Sequence, residues 1–461
     1  MQRFCVAAVV ITLASAALAA STCMSHGAQR EPFTIVWNYD TSGYLETCGC
    51  SANQLGGIAR RGEQLARLRE AQPLLAIEGA HIIADEGEFH LYKGETVVDL
   101  LNIMGYDALQ LGVREAQHGP AGIERLCALA EFPCFSANLQ LSDGSADVRD
   151  SVVVEIAGIR VGITGVSDPA AVSFELPPGV EFGDPRAALG EVLPQLKREC
   201  DLAVLCLEGE RSWIRNIART HGEQVNLILA GNRNRATADW DFNPEPPSLN
   251  NWDQGRYLGV ISVDPLPDGF QITGVSLPLR DELPESQAIL DYLDQTYRPQ
   301  LKERFFGAMK TDLEQLYMPP EACEPCHAEA YESYTASGHS RALKTLFDKH
   351  QLYNPDCMPC HVVYDPNLDE LQPINCVVCH SNIGEQHLWD AMSGEATRPP
   401  EPVTQYTYDW CVVCHDAINS TPFAEHWPQY AAQIYHGGDM SAAEQSAERL
   451  GLDLAEPPPH H

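Results

Sequence analysis

The sequence predicts an α/β layered domain followed by a mostly α segment, and three observations carry that expectation. Short apolar strands alternate with amphipathic helical stretches from about residue 33 to 279, the pattern of βαβ units. Between Cys323 and His415 the pattern C-x-x-C-H occurs four times. Between the two regions Leu301, Phe305, Met309 and Leu313 recur at spacing four, one apolar stripe of a helix.

At the start of the chain, Met1-Gln2-Arg3 is a short positive region and Phe4 to Leu18 is apolar but too short to span a bilayer comfortably. Ala17-Leu18-Ala19 has the small-x-small form of a signal-peptidase site. A signal peptide over residues 1–19 and an exported, periplasmic, soluble product are expected. A lipid anchor at Cys23 is the alternative, although Ala20-Ser21-Thr22 lacks the usual flanking pattern. No later segment is long and apolar enough to cross a membrane. The 461 residues suffice for two or three domains. The formal net charge of -34 repels nucleic acid and anionic membrane surfaces. It favours basic docking partners or simple solubility.

Strands are expected at 33–37, 74–77, 108–111, 134–137, 152–156, 160–164, 202–207, 225–229 and 258–263. Helices are expected at 59–71, 96–104, 122–130, 187–198 and 212–220. The two strands around Gly158 read as a hairpin, so the sheet is mixed. Cys48, Cys50, Cys127, Cys134, Cys200 and Cys206 make six cysteines in this region, which an oxidising compartment would turn into structural disulfides. A reactive or metal-binding Cys48-Gly49-Cys50 pair is the alternative. Glu285 to Thr296 reads as a helix, Pro299 as the first turn of another, and Pro319-Pro320 as its end. The pair is expected to be a packing strut.

Asp40-Thr41-Ser42-Gly43-Tyr44-Leu45-Glu46, followed by Gly56-Gly57-Ile58-Ala59-Arg60-Arg61, resembles the opening of the 5′-nucleotidase branch of the metallophosphoesterases. Ser136-Ala137-Asn138-Leu139 and the strand over 159–166 sit where that family has similar segments. The resemblance covers roughly residues 33 to 280. It implies a metallophosphoesterase-like layer fold and two divalent metals that activate a hydroxide. Most of the implied ligands are replaced. Asp40 survives, but its partner His is Ser42, and the Asp after Gly79 is Ala80. Asn-His-Glu reads Val113-Arg114-Glu115, a strand-end His is lost around Leu207-Glu208, and Gly-His-x-His reads Gly231-Asn232-Arg233-Asn234. One surviving ligand cannot hold two metals, so the domain is expected to lack phosphoesterase activity. The alternatives are a site rebuilt from Asp40, His81, Glu115 and Glu208, or an anion pocket at Arg114 and Arg233.

The four C-x-x-C-H copies are Cys323/Cys326/His327, Cys357/Cys360/His361, Cys376/Cys379/His380 and Cys411/Cys414/His415. This is the attachment pattern of c-type haem. Two thiols one helical turn apart bond the porphyrin, and the next residue gives iron its proximal imidazole. Zinc sites need no His directly after each second Cys. Four haems c are therefore expected. Six-coordinate irons need four further ligands, for which His is the usual choice, and outside the motifs this segment offers His339, His350, His387, His426 and His436. Four macrocycles on about 120 residues leave little room for another core, so the segment is expected to be haem-packed.

The flanks then carry a second resemblance. Ala322 to Tyr331, Ser337-Gly338-His339-Ser340-Arg341-Ala342-Leu343, Asn354-Pro355-Asp356-Cys357, Gly384-Glu385-Gln386-His387, and Phe423, Trp427 and His436 together resemble the tetrahaem cytochrome family of the hydroxylamine-oxidation pathway. It covers roughly residues 320 to 437. It implies His339, His387 and His436 as distal ligands and one haem that is often open at its sixth position, with His350 and His426 as spares. His361 and His380 are close in sequence, so neighbouring haems are expected there.

The expected organisation is a signal peptide at 1–19, the α/β domain at 31–282, a helical linker at 283–318, a tetrahaem cytochrome c domain at 319–440 and a disordered tail at 441–461. The expected function is electron transfer between a redox protein donor and acceptor, with the front domain for docking or sensing. Two alternatives stand beside it: an enzyme acting on a small nitrogen compound at an open haem, and a metal-dependent phosphoesterase coupled to redox.

Overall fold

The computed structural model describes residues 30–47, 55–142, 144, 146–231, 239–241, 246–251, 254–314, 318–380, 393, 408–415, 422–436 and 440–458. The expected signal peptide, Cys23, Cys48, Cys50, Arg233 and His387 lie outside the described residues.

The front region is built on two facing sheets rather than one. The first runs β15-β14-β1-β2-β3-β4-β6, with β1 at Phe33–Asn38, β2 at Leu74–Glu78, β3 at Ala108–Gln110, β4 at Cys134–Phe135, β6 at Val148–Arg149, β14 at Tyr257–Leu266 and β15 at Gly269–Pro278. The second runs β12-β13-β11-β10-β8-β7, with β7 at Ser151–Ile156, β8 at Ile159–Ser167, β10 at Leu202–Glu208, β11 at Leu227–Gly231, β12 at Asp239–Asp241 and β13 at Ser248–Asn251. Both sheets are mixed: parallel inside, antiparallel at β14, β15, β7 and β12.

Alternation along the strands makes the layers. Phe33, Ile35 and Trp37 of β1 face Ile163, Val204 and Leu229 of the other sheet. Val36 turns outward to the helices at Ile58–Ala71 and Glu88–Met104. Leu205 and Leu207 turn to the opposite helical layer, formed by Pro185–Glu199 and Arg211–His221. Central strands such as β10 are therefore buried on both faces and read as unbroken apolar runs.

The hairpin at Gly158 forms as expected, with Ala157 at φ 52° and Gly158 at φ 71°. Short strands such as β13 were not expected, and two larger differences bear on the layers. β15 is an additional ten-residue strand paired with β14. Its Gly and Thr content hid it, but Pro267-Asp268-Gly269 is a turn signal. The second helix begins at Glu88, not at residue 96. Gly94 breaks the apolar pattern because a Cβ there would lie 2.5 Å from Ile83.

The linker is helical from Gln287 to Glu314 without a restart at Pro299. π turns at Leu293–Tyr297 and Lys302–Phe306 widen it. Widening relieves the clash a proline ring makes with the preceding turn. It also splits the expected single stripe. Leu301 and Phe305 pack on the front core, whereas Phe306 and Met309 pack with Leu346, Met358 and Tyr364 of the following segment. Leu313's side chain lies outside those described.

Among its described residues the C-terminal segment contains short helices plus one hairpin, β16 at Val362–Asp365 with β17 at Glu370–Pro373. Its apolar clusters are small, one around Met358 and one around Trp427. Residues 441–450, expected as disordered tail, are a helix instead. Ala443 and Ala447 bury one face of it, and Gly451 ends it at φ 71°.

Candidate functional sites

The first site gathers at the carboxyl ends of parallel strands from both sheets, where α/β sheets place ligands. Asp40 follows β1, His81 follows β2, Glu115 follows β3, Ser167 ends β8 and Glu208 ends β10. All five are buried. The four residues of the expected rebuilt site do come together, but through hydrogen bonds. His81 Nε2 lies 2.5 Å from Glu208 Oε1, and its Nδ1 is 3.8 Å from Asp40 Oδ1. The Ser167 hydroxyl donates to Glu208 at 2.5 Å, and the Val113 amide donates to it at 3.2 Å. Glu115 accepts from the amides of Ile82 at 2.8 Å and Gly112 at 3.0 Å. The Ser42 hydroxyl donates to Asp40.

Close approach explains two glycines here. A Cβ on Gly112 would sit 1.9 Å from Glu208, and one on Gly231 would sit 2.2 Å from the Tyr39 ring. Asp40, Ser42 and His81 all have positive φ, at 60°, 46° and 67°, so the backbone is strained at the cluster.

The charges balance internally. Burial opposes charging of His81, but Glu208 and Asp40 overcome it and raise the imidazole to about 9. Burial also works against the Glu208 charge, yet His81, Ser167 and the Val113 amide hold that carboxyl below its ordinary range. Burial raises Glu115. An imidazolium thus stands among the carboxylates. No group of three or more potential metal ligands forms among the described residues. Arg114 is partly exposed and bound to Asp85 and Gln117. Beside the cluster, Arg61 is ion-paired to Glu78 at 2.9 Å, fully buried, and donates to Thr41 at 2.7 Å.

The expected disulfides are absent among the described cysteines: Cys127, Cys134, Cys200 and Cys206 are free thiols. Cys127 and Cys134 touch each other. Cys206 faces the layer between the sheets while Cys200 packs on the opposite face, so those two cannot meet.

The second site is the set of C-x-x-C-H turns. In each, the second Cys or the His closes one helical turn onto the first Cys. The His327, His380 and His415 amides donate to the carbonyls of Cys323, Cys376 and Cys411 at 2.8–2.9 Å, and Cys360 donates to Cys357 at 3.3 Å. None of the eight cysteines is in a disulfide. His361 Nδ1 pairs with the Ala342 carbonyl at 3.2 Å, and His436 Nδ1 with the Ile434 carbonyl at 2.7 Å. Such bonds hold the proton on Nδ1 and make Nε2 the ligand atom. Burial lowers the proton affinity of His339, His361 and His380, which favours the neutral ring a metal needs.

Two imidazole pairs face each other. His339 and His415 have ring centres 6.1 Å apart, and His380 and His436 are 5.9 Å apart. Two rings bonded to one metal from opposite sides stand roughly 6 Å apart. The first and third motifs touch through Cys323 and Cys376. The second and fourth touch where Cys360 meets the Val413 carbonyl at 3.9 Å. The β16–β17 hairpin joins the second motif to the third and pairs Val362 with Pro373, so the chain leaving one motif returns beside its start to enter the other. A cavity of about 230 Å³ lined by Tyr331, Tyr334 and Asn375 opens beside the first and third motifs. Paired cysteines outside any disulfide, adjacent imidazoles and facing rings fit c-type haem.

Comparison with known proteins separates the two regions. A family model described as cytochrome c554 and c-prime matches residues 322–381. The 5′-nucleotidase of Mus musculus is 26% identical over 227 residues, 47% of this chain and 38% of the relative. That of Bos taurus is 24% identical over 279 residues, 54% and 48% respectively. The chain thus spans less than half the length of these relatives. The solved 5′-nucleotidase precursor of Thermus thermophilus superposes with a TM-score of 0.50 at 22% identity, covering 59% of each chain. A calcineurin-like phosphoesterase of Bacillus subtilis gives 0.50 at 16% identity, over 59% of this chain and 99% of that one. The N-terminal part is 5′-nucleotidase-like and has the mixed α/β metallophosphoesterase fold. No described helix is long and apolar enough to cross a membrane.

Proposed function

We propose that the chain is an exported multihaem cytochrome that moves electrons between a donor and an acceptor protein, with a front domain that does not hydrolyse phosphoesters. The observation that carries this reading is the set of four one-turn C-x-x-C-H motifs whose cysteines form no disulfide, two of whose imidazoles face a second imidazole across roughly the width of a ligated iron. Cys323, Cys326, Cys357, Cys360, Cys376, Cys379, Cys411 and Cys414 attach four haems c, and His327, His361, His380 and His415 are proximal. His339 serves the iron of His415, and His436 serves that of His380. His387 is the remaining distal ligand. Bound haem supplies a one-electron couple at each site. The residues hold each plane by two thioethers and fix the ring that meets it, so little moves on electron transfer. Acidic surface charge favours basic redox partners and repels nucleic acid.

Intact mass of the exported protein is expected to exceed the chain by four porphyrins, and a chain with no added porphyrin mass would remove the reading. Manganese should elicit no hydrolysis of nucleotides or a generic phosphate ester, because His81 stands as the cation among Asp40, Glu115 and Glu208. Metal-dependent turnover abolished in Asp40→Ala would overturn that part. A second reading, chemistry on a small nitrogen compound at an open iron, is favoured by one observation. The three distal imidazoles proposed here, His339, His387 and His436, leave one of the four irons without a sixth ligand. Electron paramagnetic resonance should show that His436→Ala converts one low-spin centre to high spin. A high-spin centre already present in the unaltered protein would support the second reading. An unchanged spectrum in His436→Ala would sink the pairing of His436 with His380.

A further inference from the structure

The front domain meets the second attachment motif at a seam organised by Glu46, which no part of the function above uses. Glu46 follows the Asp40–Leu45 loop of the first site. One of its oxygens accepts from Arg298 of the linker helix. The other accepts from Gln351 Nε2 at 2.5 Å. Gln351 is buried; its own oxygen accepts from Asn354 at 2.6 Å and lies 3.9 Å from Cys357 Sγ. A single amide therefore separates the Glu46 carboxyl from the sulfur that tethers the second cofactor.

The charges at the seam do not cancel. Arg298 is shared between Glu46, 17% exposed, and Asp294, 56% exposed. Two carboxylates on one guanidinium leave one net negative charge. Lys93, 8% exposed, is already paired with Asp356 at 2.6 Å. His350, exposed, is the other ionisable group facing Glu46, and the buried Tyr297 phenol completes the wall. An added electron at this seam places a second negative charge beside the first, in a desolvated setting where charge repulsion is strong. Of the two carboxylates, Glu46 loses its charge at less cost. It is the more buried one, and Arg298 keeps Asp294 when Glu46 is neutral. Burial already lifts its proton affinity above the ordinary carboxyl value despite Arg298.

We infer that Glu46 takes up a proton when the cofactor tethered at Cys357 is reduced. This rests on the multihaem reading above. One electron comes from a one-electron donor protein and turns ferric iron ferrous. One proton comes from water and goes to the Glu46 carboxylate, so the seam's net charge is unchanged. Oxidation releases both. The fused domain is then the proton-handling wall of one redox centre.

Spectroelectrochemical titration of the full-length holoprotein, with dithionite as reductant, tests this at a series of pH values. One of the four steps should fall in midpoint by up to about 59 mV per tenfold drop in proton activity. In Glu46→Gln, which carries no charge at any pH, that step should lose its slope and stay at the high, acid-limit value. His350→Gln should keep the slope. A slope that persists in Glu46→Gln, or that disappears in His350→Gln instead, overturns the inference. If Glu46→Gln does not fold, infrared difference spectra of the unaltered protein decide. A protonated-carboxyl band should appear on reduction, and its absence overturns the proposal. A protein with no porphyrin fails the multihaem reading itself, whereas haem present with no Glu46-dependent slope fails this inference alone.

Discussion

His81→Leu should destabilise the front domain by about 3–5 kcal/mol, the usual result of removing one partner of a buried ion pair. Glu208 and Asp40 would then stand buried with no cation between them. Domains are stable by only about 5–15 kcal/mol, so a urea midpoint should fall sharply. Restoring balance with Glu208→Gln on the same background should recover much of the loss. The pH dependence follows from the raised His81 value. Its contribution is complete below the unfolded imidazole value of 6.5 and is lost as pH rises through about 9. That span corresponds to roughly 3 kcal/mol at about 1.4 kcal/mol per pH unit. Glu208 is held below its ordinary range. Its contribution is present above the unfolded carboxyl value and is lost as pH falls through the folded one. Urea midpoints of the unaltered protein that do not drop as pH rises from 6.5 to about 9 would show the cluster is not ionised as described.

Serine at both Cys376 and Cys379 should remove one porphyrin mass and leave three. The loss should also loosen the surrounding segment well beyond one motif. Its apolar clusters are small, and Cys376 touches Cys323 of the first motif beside the cavity. A small segment with so little core of its own depends on what it binds. Protease should cut within residues 319–380 in this variant while the two-sheet region, with its own large core, resists. Four porphyrins still attached to the double variant would separate that motif from haem attachment altogether.

Much of the front region was legible in the chain. Strands such as β1, β2 and β10 are apolar runs bounded by turn residues, and their periodicity survives into the fold. What escaped was whatever depended on a distant partner. β15 is half exposed and Gly-rich, and becomes a strand only because β14 pairs with it along its whole length. The helix at 441–450 needs only two alanines against a neighbouring helix, too little apolar sequence to stand out from a polar tail. Pro299 reads as a helix start until the π turns absorb it.

The candidate sites divide along the same line. The four C-x-x-C-H motifs are local chemistry: five consecutive residues set thiol spacing and imidazole position within one turn, so the sequence alone identified them. The residues standing where the resemblance implies metal ligands were equally visible one by one. Only the tertiary structure decided that His81 ion-pairs with Glu208, 127 residues away, that His339 and His436 face His415 and His380, and that Glu46 reaches Gln351 across 305 residues. Charge pairing and ring facing act over a few ångströms, and chain order does not encode which distant strands and turns the packing brings that close.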